Sequence, residues 1–303
     1  MIYRKTGFIT SGLHVLGTPA LPAFLLDAAR PVIIDAGISC MGSSYIRDTL
    51  RILKQRQPAY LFLTHVHYDH CGAAALLQNA FPGLQTGCAV AGEKILENPR
   101  AIETIKALNR TAAQYAIALG EIEASGENPP EFEPFAVEKR FLDGDTVELG
   151  GGLSMEVLAT PGHTRDSLSF YVPERKMLFT GEAVGVMTGD GYVSSEWLSS
   201  FEDYWHSMHK LQALDVEVLC IGHGYVLTGG DAAAHIPRAI AHAEKFRASI
   251  ETHLHETGGD VEAVKQRIKE KEYDPLPDPE QPDFAYLINL DAKIRAVMRL
   301  NEA

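Results

Sequence analysis

The sequence predicts an α/β chain of α+β character, with strands and helices mixed over residues 1–230 and a helical extension over residues 231–303. Three observations carry this. Apolar runs such as Ala59-Tyr60-Leu61-Phe62-Leu63 are short and do not alternate with polar residues, as expected for strands covered on both faces. Four of the expected strands finish in residues able to ligate a metal, with Gly or Pro beside them: His65 and His67, His163, Glu182, and His223. Beyond Asp231 the pattern is helical, with no strand between the helices.

Bulk properties narrow the function. At 303 residues the chain can hold one large domain, or one domain with an extension, and its 46% hydrophobic content is that of an ordinary globular protein. A formal net charge of −13 argues against a non-specific nucleic-acid binder, which needs a cationic surface. Cys40, Cys71, Cys88 and Cys220 read as free thiols in a reducing compartment. The N-terminal apolar residues are interrupted by Gly7, Ser11, Gly12, His14 and Gly17, which is not the core of a secretion signal. No run reaches the roughly 18 apolar residues of a membrane span. The expectation is a cytoplasmic protein with neither a membrane nor a nucleic-acid partner, and a homodimer is compatible with it.

In chain order, Ala23–Asp27 and Pro31–Asp35 are strands around a polar turn, and residues 43–56 suit an amphipathic helix. After the buried strand at 59–63 comes Thr64-His65-Val66-His67-Tyr68-Asp69-His70-Cys71-Gly72, leading into a helix that stops at Phe81-Pro82-Gly83. Val90-Ala91-Gly92 resembles the end of a short strand, and residues 99–124 carry a long helical stripe. Segments 139–142 and 146–149 flank Asp143-Gly144-Asp145, a hairpin signal. Further strands lie at 155–159, 168–172, 177–180 and 216–221, with a helix near 199–213. Helices at 231–256, 260–271 and 283–300 follow, the last two separated by a Pro-rich loop at 274–282.

The histidine-rich loop is the chemical centre. In an extended loop His65 and His67 point the same way, and Asp69 falls near a helix N-terminus, where negative charge is favoured. His65, His67 and His163 supply three nitrogen ligands, enough for a catalytic zinc-type site with an open position. Asp69, His70 and His223 can hold a second ion, and the Glu182 carboxylate can bridge the two. Two such ions can make a shared hydroxide nucleophilic near neutral pH. No G-x-S-x-G motif offers a competing serine nucleophile.

His65-Val66-His67-Tyr68-Asp69-His70, with Pro161-Gly162-His163-Thr164, Thr180-Gly181-Glu182 and Gly222-His223-Gly224, resembles the metallo-β-lactamase superfamily over residues 10–228. The resemblance implies a four-layer αββα sandwich with a dinuclear metal site at the sheet edges. It further implies a hydrolase using a metal-bound hydroxide, with zinc the first expectation and iron or manganese the alternatives. The family usually has Asp where this chain has Glu182, which makes the second ion the weaker expectation. Phe24-Leu25-Leu26, Gly37-Ile38-Ser39, His67–Gly72, Leu108-Asn109-Arg110 and the helical C-terminus are most similar to the 2-aminobenzoylacetyl-CoA thioesterase branch. That similarity implies residues 231–303 as a cap docked on the active-site side, with Phe284, Tyr286, Leu287 and Asn289 lining a substrate pocket.

A small acyl thioester or ester is therefore the expected substrate. A thiolate leaves without strong protonation because free thiols have a pKa of roughly 8.5. Asp69 is the candidate catalytic residue, orienting the nucleophile, and Arg110 and Arg165 are candidate contacts for coenzyme A phosphates. Glyoxalase-II-like hydrolysis is a neighbouring reading. A lactonase is disfavoured, because Gly185 stands where such enzymes are expected to carry Tyr. A reading of another class is a regulatory protein that keeps the metal site for folding.

Overall fold

The computed structural model describes residues 1–118, 129–187, 191–275 and 283–302. Among these, two seven-stranded sheets pack face to face. The first runs in the order Gly7–Thr10, Leu13–Gly17, Pro22–Leu26, Val32–Ile34, Tyr60–Phe62, Gln85–Ala89, Lys139–Phe141. The second runs Ile2–Tyr3, Val226–Thr228, Val218–Cys220, Met177–Phe179, Leu168–Val172, Leu153–Ala159, Thr146–Gly150.

The period-2 geometry of a strand explains the continuous apolar runs. Phe24, Ile34, Phe62, Phe170 and Phe179 meet between the sheets, where Phe24 and Phe179 ring centroids are 5.7 Å apart. Their neighbours Leu25, Ile33 and Leu61 face the other way, against helices Gly42–Leu53, Ala74–Ala80 and Pro99–Ala118. On the second sheet Leu178, Leu219 and Leu227 point outward to helices Phe201–Gln212, Gly230–Glu256 and Asp283–Glu302. The layers are thus helix, sheet, sheet, helix, the αββα sandwich that the resemblance implies. The C-terminal helices share one apolar core with the second sheet, with Ile236, Ile240 and Ile294 buried against it.

Two local expectations are corrected. Val90-Ala91-Gly92 does not end a strand: the strand is Gln85–Ala89, and Val90 opens a helix to Leu96. Ile95 and Leu96 pack into the outer core from that helix, while Glu93 reaches Arg140 on the adjacent strand. Nor do the segments around Asp143-Gly144-Asp145 form a hairpin. Lys139–Phe141 pairs parallel with Gln85–Ala89 in the first sheet, whereas Thr146–Gly150 pairs with Leu153–Ala159 in the second. The turn carries the chain between sheets. Asp145 accepts from Leu142 N at 2.8 Å and Asp143 accepts from Ala159 N at 2.8 Å, so its acidic residues anchor a crossover. The long helix is described to Ala118, so its expected tail at 119–124 lies outside the described residues, as does most of the 274–282 loop.

Parallel pairing fixes where the chemistry falls. Val32–Ile34 pairs parallel with Tyr60–Phe62, and Met177–Phe179 with Val218–Cys220. Their carboxyl ends meet at one edge of the sandwich, the usual position of a site in sheets of this kind. Beyond those ends come Asp35, the histidine loop, Glu182 and His223.

Candidate metal centre

The loop after Tyr60–Phe62 is held from beneath by Asp35. This buried carboxylate accepts from Thr64 N at 2.7 Å and from Thr64 Oγ1 at 2.9 Å, and pairs with His70 Nδ1 at 2.9 Å. Asp35 has φ +63°, in the left-handed region that non-glycine residues seldom occupy, and its three partners hold it there. His65 Nδ1 lies 3.1 Å from Thr64 Oγ1. Val66 N donates to buried Asp166 at 3.0 Å, and Asn109 Nδ2 on the long helix donates to Tyr68 O at 3.1 Å. His65 and His70 therefore have Nδ1 engaged and Nε2 aimed inward, the usual way a supporting partner orients an imidazole ligand.

The second sheet supplies the rest. His163 follows Leu153–Ala159 in a tight turn and donates Nδ1–H to Glu196 O at 2.6 Å. His223 follows Val218–Cys220 and donates Nδ1–H to Ala20 O at 2.9 Å. A carbonyl only accepts, so both rings carry their proton on Nδ1 and present Nε2 to the centre. Glu182 follows Met177–Phe179, and glycine at 222 gives it room. A Cβ there would lie 3.0 Å from Glu182 Oε1.

Donor atoms converge in three overlapping sets: His65, His67 and His163; His65, His70 and Glu182; Asp69, His70 and His223. Glu182 lies between the two outer sets. Its Oε1 is 2.8 Å from both His70 Nε2 and His223 Nε2. Its Oε2 is 3.6 Å from His65 Nε2 and 3.8 Å from His163 Nε2. The Glu182 carboxylate thus lies between the two sets, with one oxygen toward each. His65 Nε2, Asp69 Oδ1 and Glu182 Oε2 are buried without hydrogen-bond partners among the described residues. Such atoms are costly to bury unpaired, and cations held by the sets they belong to would supply the missing partners. The donor set of imidazole and carboxylate fits a zinc-type, iron or manganese ion.

Electrostatics agree with that fit. Burial holds His65 well below the ordinary histidine range and brings His67 to about 4, so both are neutral at physiological pH, as ligation requires. For His70 burial works downward, but Glu182 and Asp35 outweigh it and hold the imidazole well above its usual value. Burial would raise Glu182, yet His70, His65 and His163 hold its carboxyl well below the usual range. Without a cation the acid is ionised and borrows positive charge from His70.

All seven predicted ligand residues lie at this centre. The four predicted pocket residues lie on helix Asp283–Glu302, where Phe284 is exposed and Leu287 and Asn289 are half-buried. Tyr286 stacks on Tyr273 with centroids 4.3 Å apart. Arg110 pairs with Glu131 at 2.7 Å on the surface, and Arg165 is exposed. His206 and His209 lie against Trp205 and take no part, and Cys71 is a buried small side chain. Asp35, Asp166 and the Glu196 carbonyl are supports that the sequence does not single out, whereas Asn109 lies in the Leu108-Asn109-Arg110 motif quoted above. For Asp35 a signal existed: it ends a strand next to Gly37, as the ligands end theirs.

Comparison with known proteins identifies the family. The family model of the metallo-beta-lactamase superfamily matches residues 22–223. An atrochrysone carboxyl ACP thioesterase of Aspergillus fumigatus is 26% identical over 214 residues, 71% of this chain and 50% of that protein. Glyoxylase B2 of Dictyostelium discoideum is 28% identical over 184 residues, 60% of this chain and 53% of that protein. The chain thus spans about half the length of each of these relatives. A crystal structure of a metallo-beta-lactamase family protein from Thermus thermophilus shares the fold, with TM-score 0.64 and 18% identity over 100% of this chain and 94% of that one. With its ligand motifs in order along the matched region and its αββα layers in place, the chain belongs to the metallo-beta-lactamase superfamily.

Proposed function

We propose that this chain is a metal-dependent hydrolase of small acyl thioesters or related esters, working with two divalent ions, zinc first and iron or manganese as alternatives. The observation that supports it most is Glu182, set between two nitrogen-rich ligand sets with one oxygen toward each. His65, His67 and His163 would hold one ion, Asp69, His70 and His223 the other, and Glu182 both. When bound, the ions would supply Lewis-acid polarisation of the acyl carbonyl and activation of water at neutral pH.

The chain's own residues do the remaining work. Asp69 Oδ1, buried and unpartnered, is placed to orient the attacking water. Thr64, Asp35, Glu196 O and Ala20 O hold four imidazoles at fixed angles, so little reorganisation accompanies reaction. A thiolate leaves without a strong general acid, which favours thioesters over amides. The similarity to a protein named as a thioesterase supports the same choice, and the one named as a glyoxylase keeps a glutathione thioester among the candidates. Phe284, Tyr286, Leu287 and Asn289 remain the proposed lining of the acyl pocket, contributed by the C-terminal helices as a cap.

The test is hydrolysis of a panel of acyl-CoA, glutathione thioester, aryl ester and lactone substrates by metal-loaded and chelated protein. Metal-dependent turnover, fastest on thioesters, is expected. Undiminished turnover by the chelated protein would end the reading. A metal-loaded protein that cleaves nothing in the panel would leave the regulatory alternative in its place.

A further inference from the structure

The C-terminal helix Asp283–Glu302 carries a lysine that is hard to explain as packing. Lys293 is 3% exposed, and lysine is seldom buried unless paired. Its Nζ lies 2.9 Å from Oε1 of Glu196, itself 5% exposed, and Ser194 Oγ donates to the same oxygen at 2.9 Å. Desolvating two charges is costly, and an apolar pair of the same volume often serves stability as well. A buried ion pair is therefore more informative about positioning than about stability.

What Glu196 touches on its other side gives the pair a role. Its backbone carbonyl accepts the Nδ1–H of His163 at 2.6 Å. The next residues clasp the same turn: Leu198 N, Ser199 N and Ser200 N all donate to Gly162 O, at 3.2, 3.0 and 3.2 Å. The helix in turn grips this segment at two further points. Trp197 Nε1 donates to Lys293 O at 3.2 Å, and Arg299 Nη2 donates to Ser199 O at 3.0 Å. Residues 194–200 are thus a strap, pinned by the C-terminal helix on one face and holding the His163 turn on the other.

We propose that Lys293 is a positioning residue for the metal centre, acting through Glu196 to set the orientation of the His163 imidazole. The C-terminal helix would then be part of the centre's scaffold as well as a wall of the substrate pocket. This rests on the metal-centre reading above. Without Lys293, Glu196 is a buried carboxylate that has lost its cation. Its carboxylate then favours positions closer to water, and a shift of the strap in that direction would move the carbonyl that aims His163.

The experiment is cobalt(II) binding by chelator competition, read with the visible ligand-field spectrum, on wild type, Lys293→Met, Lys293→Arg and Ile294→Val. Lys293→Met should bind cobalt about 10-fold more weakly, at the low end for loss of a ligand's supporting partner, with an altered spectrum. Lys293→Arg, which keeps the charge, should recover most of both. Ile294→Val trims a buried apolar neighbour on the same helix and should match wild type in both. A folded Lys293→Met with wild-type affinity and spectrum would overturn the proposal, as would an equal loss in Ile294→Val. Should Lys293→Met fail to fold, Lys293→Gln, which leaves the Glu196 carboxylate in place without a cation but keeps a polar side chain beside it, is judged by the same criteria. Absence of cobalt binding in wild type would instead overturn the metal centre itself.

Discussion

The two halves of the centre are built differently. On the first sheet His65, His67, Asp69 and His70 come from one short loop, and two of its imidazoles are held by side chains, Thr64 and Asp35. On the second sheet His163, Glu182 and His223 come from three strand ends, and both imidazoles are held by backbone carbonyls, those of Glu196 and Ala20. The first half is therefore local, and one substitution can undo it. The second depends on tertiary packing, so it yields only when a backbone segment moves.

The largest effect should come from Asp35→Ala. Thr64 N–H, Thr64 O–H and His70 Nδ1 would lose a common buried acceptor, and loss of one member of such a charged cluster costs about 3–5 kcal/mol. Denaturant unfolding of the metal-free protein measures it, and a loss below about 1 kcal/mol would remove Asp35 as the keystone of the local half. The other half should break through its backbone. Gly162 has φ +131°, and a Cβ there would collide with the Tyr204 backbone. Gly162→Ala should cost about 3 kcal/mol and weaken metal binding through His163, whereas Asp35→Ala should weaken it through His70.

Metal removal sharpens the contrast. An ion that binds only the native state, present at a hundredfold excess over its dissociation constant, stabilises by about 2.7 kcal/mol. Chelation should lower the unfolding midpoint accordingly. Amide exchange should quicken more at Leu198–Ser200, on the backbone-held side, than at Thr64 and Val66, which keep their carboxylate acceptors. Equal changes would erase the distinction.

The smallest effect is that of pH. His235 is fully buried and donates Nε2–H to Val184 O at 3.1 Å, propping the Glu182 turn from behind, and burial brings it down to about 4. Between that value and the ordinary 6.5 the unfolded chain binds more protons, so stability rises with pH across the window. The contribution is complete well above pH 6.5 and is lost as pH falls toward 4; about 2 kcal/mol of it is gone by about pH 5, a loss that His235→Gln should flatten. A variant with an unchanged pH profile would show that His235 does not set the acid limb of stability.

This contrast also explains what was legible in the sequence. The local half is written in nine consecutive residues, Thr64 to Gly72, and its ligands could be read from spacing alone. The remote ligands were found because each ends an apolar run beside Gly or Pro. Their supports were hidden: the carbonyls of Glu196 and Ala20 belong to the backbone, which every residue offers, so no residue type marks them. The Asp143-Gly144-Asp145 turn misled for a related reason. A hairpin and a crossover between sheets use the same turn residues, and only the pairing partners, Gln85–Ala89 far back in the chain and Leu153–Ala159 immediately ahead, distinguish them. The layer order was legible because strands buried on both faces require helices outside and a second sheet within.

The central claim is that Glu182 links the two halves by sharing its carboxylate between two ions. Anomalous scattering from crystals of the metal-loaded protein tests it most directly. Two metal peaks roughly 3.5–4 Å apart are expected, with one Glu182 oxygen toward each. Glu182→Gln should show a single peak, or a strongly weakened second one. One peak in the wild type, or a Glu182 turned away from both ions, would contradict it.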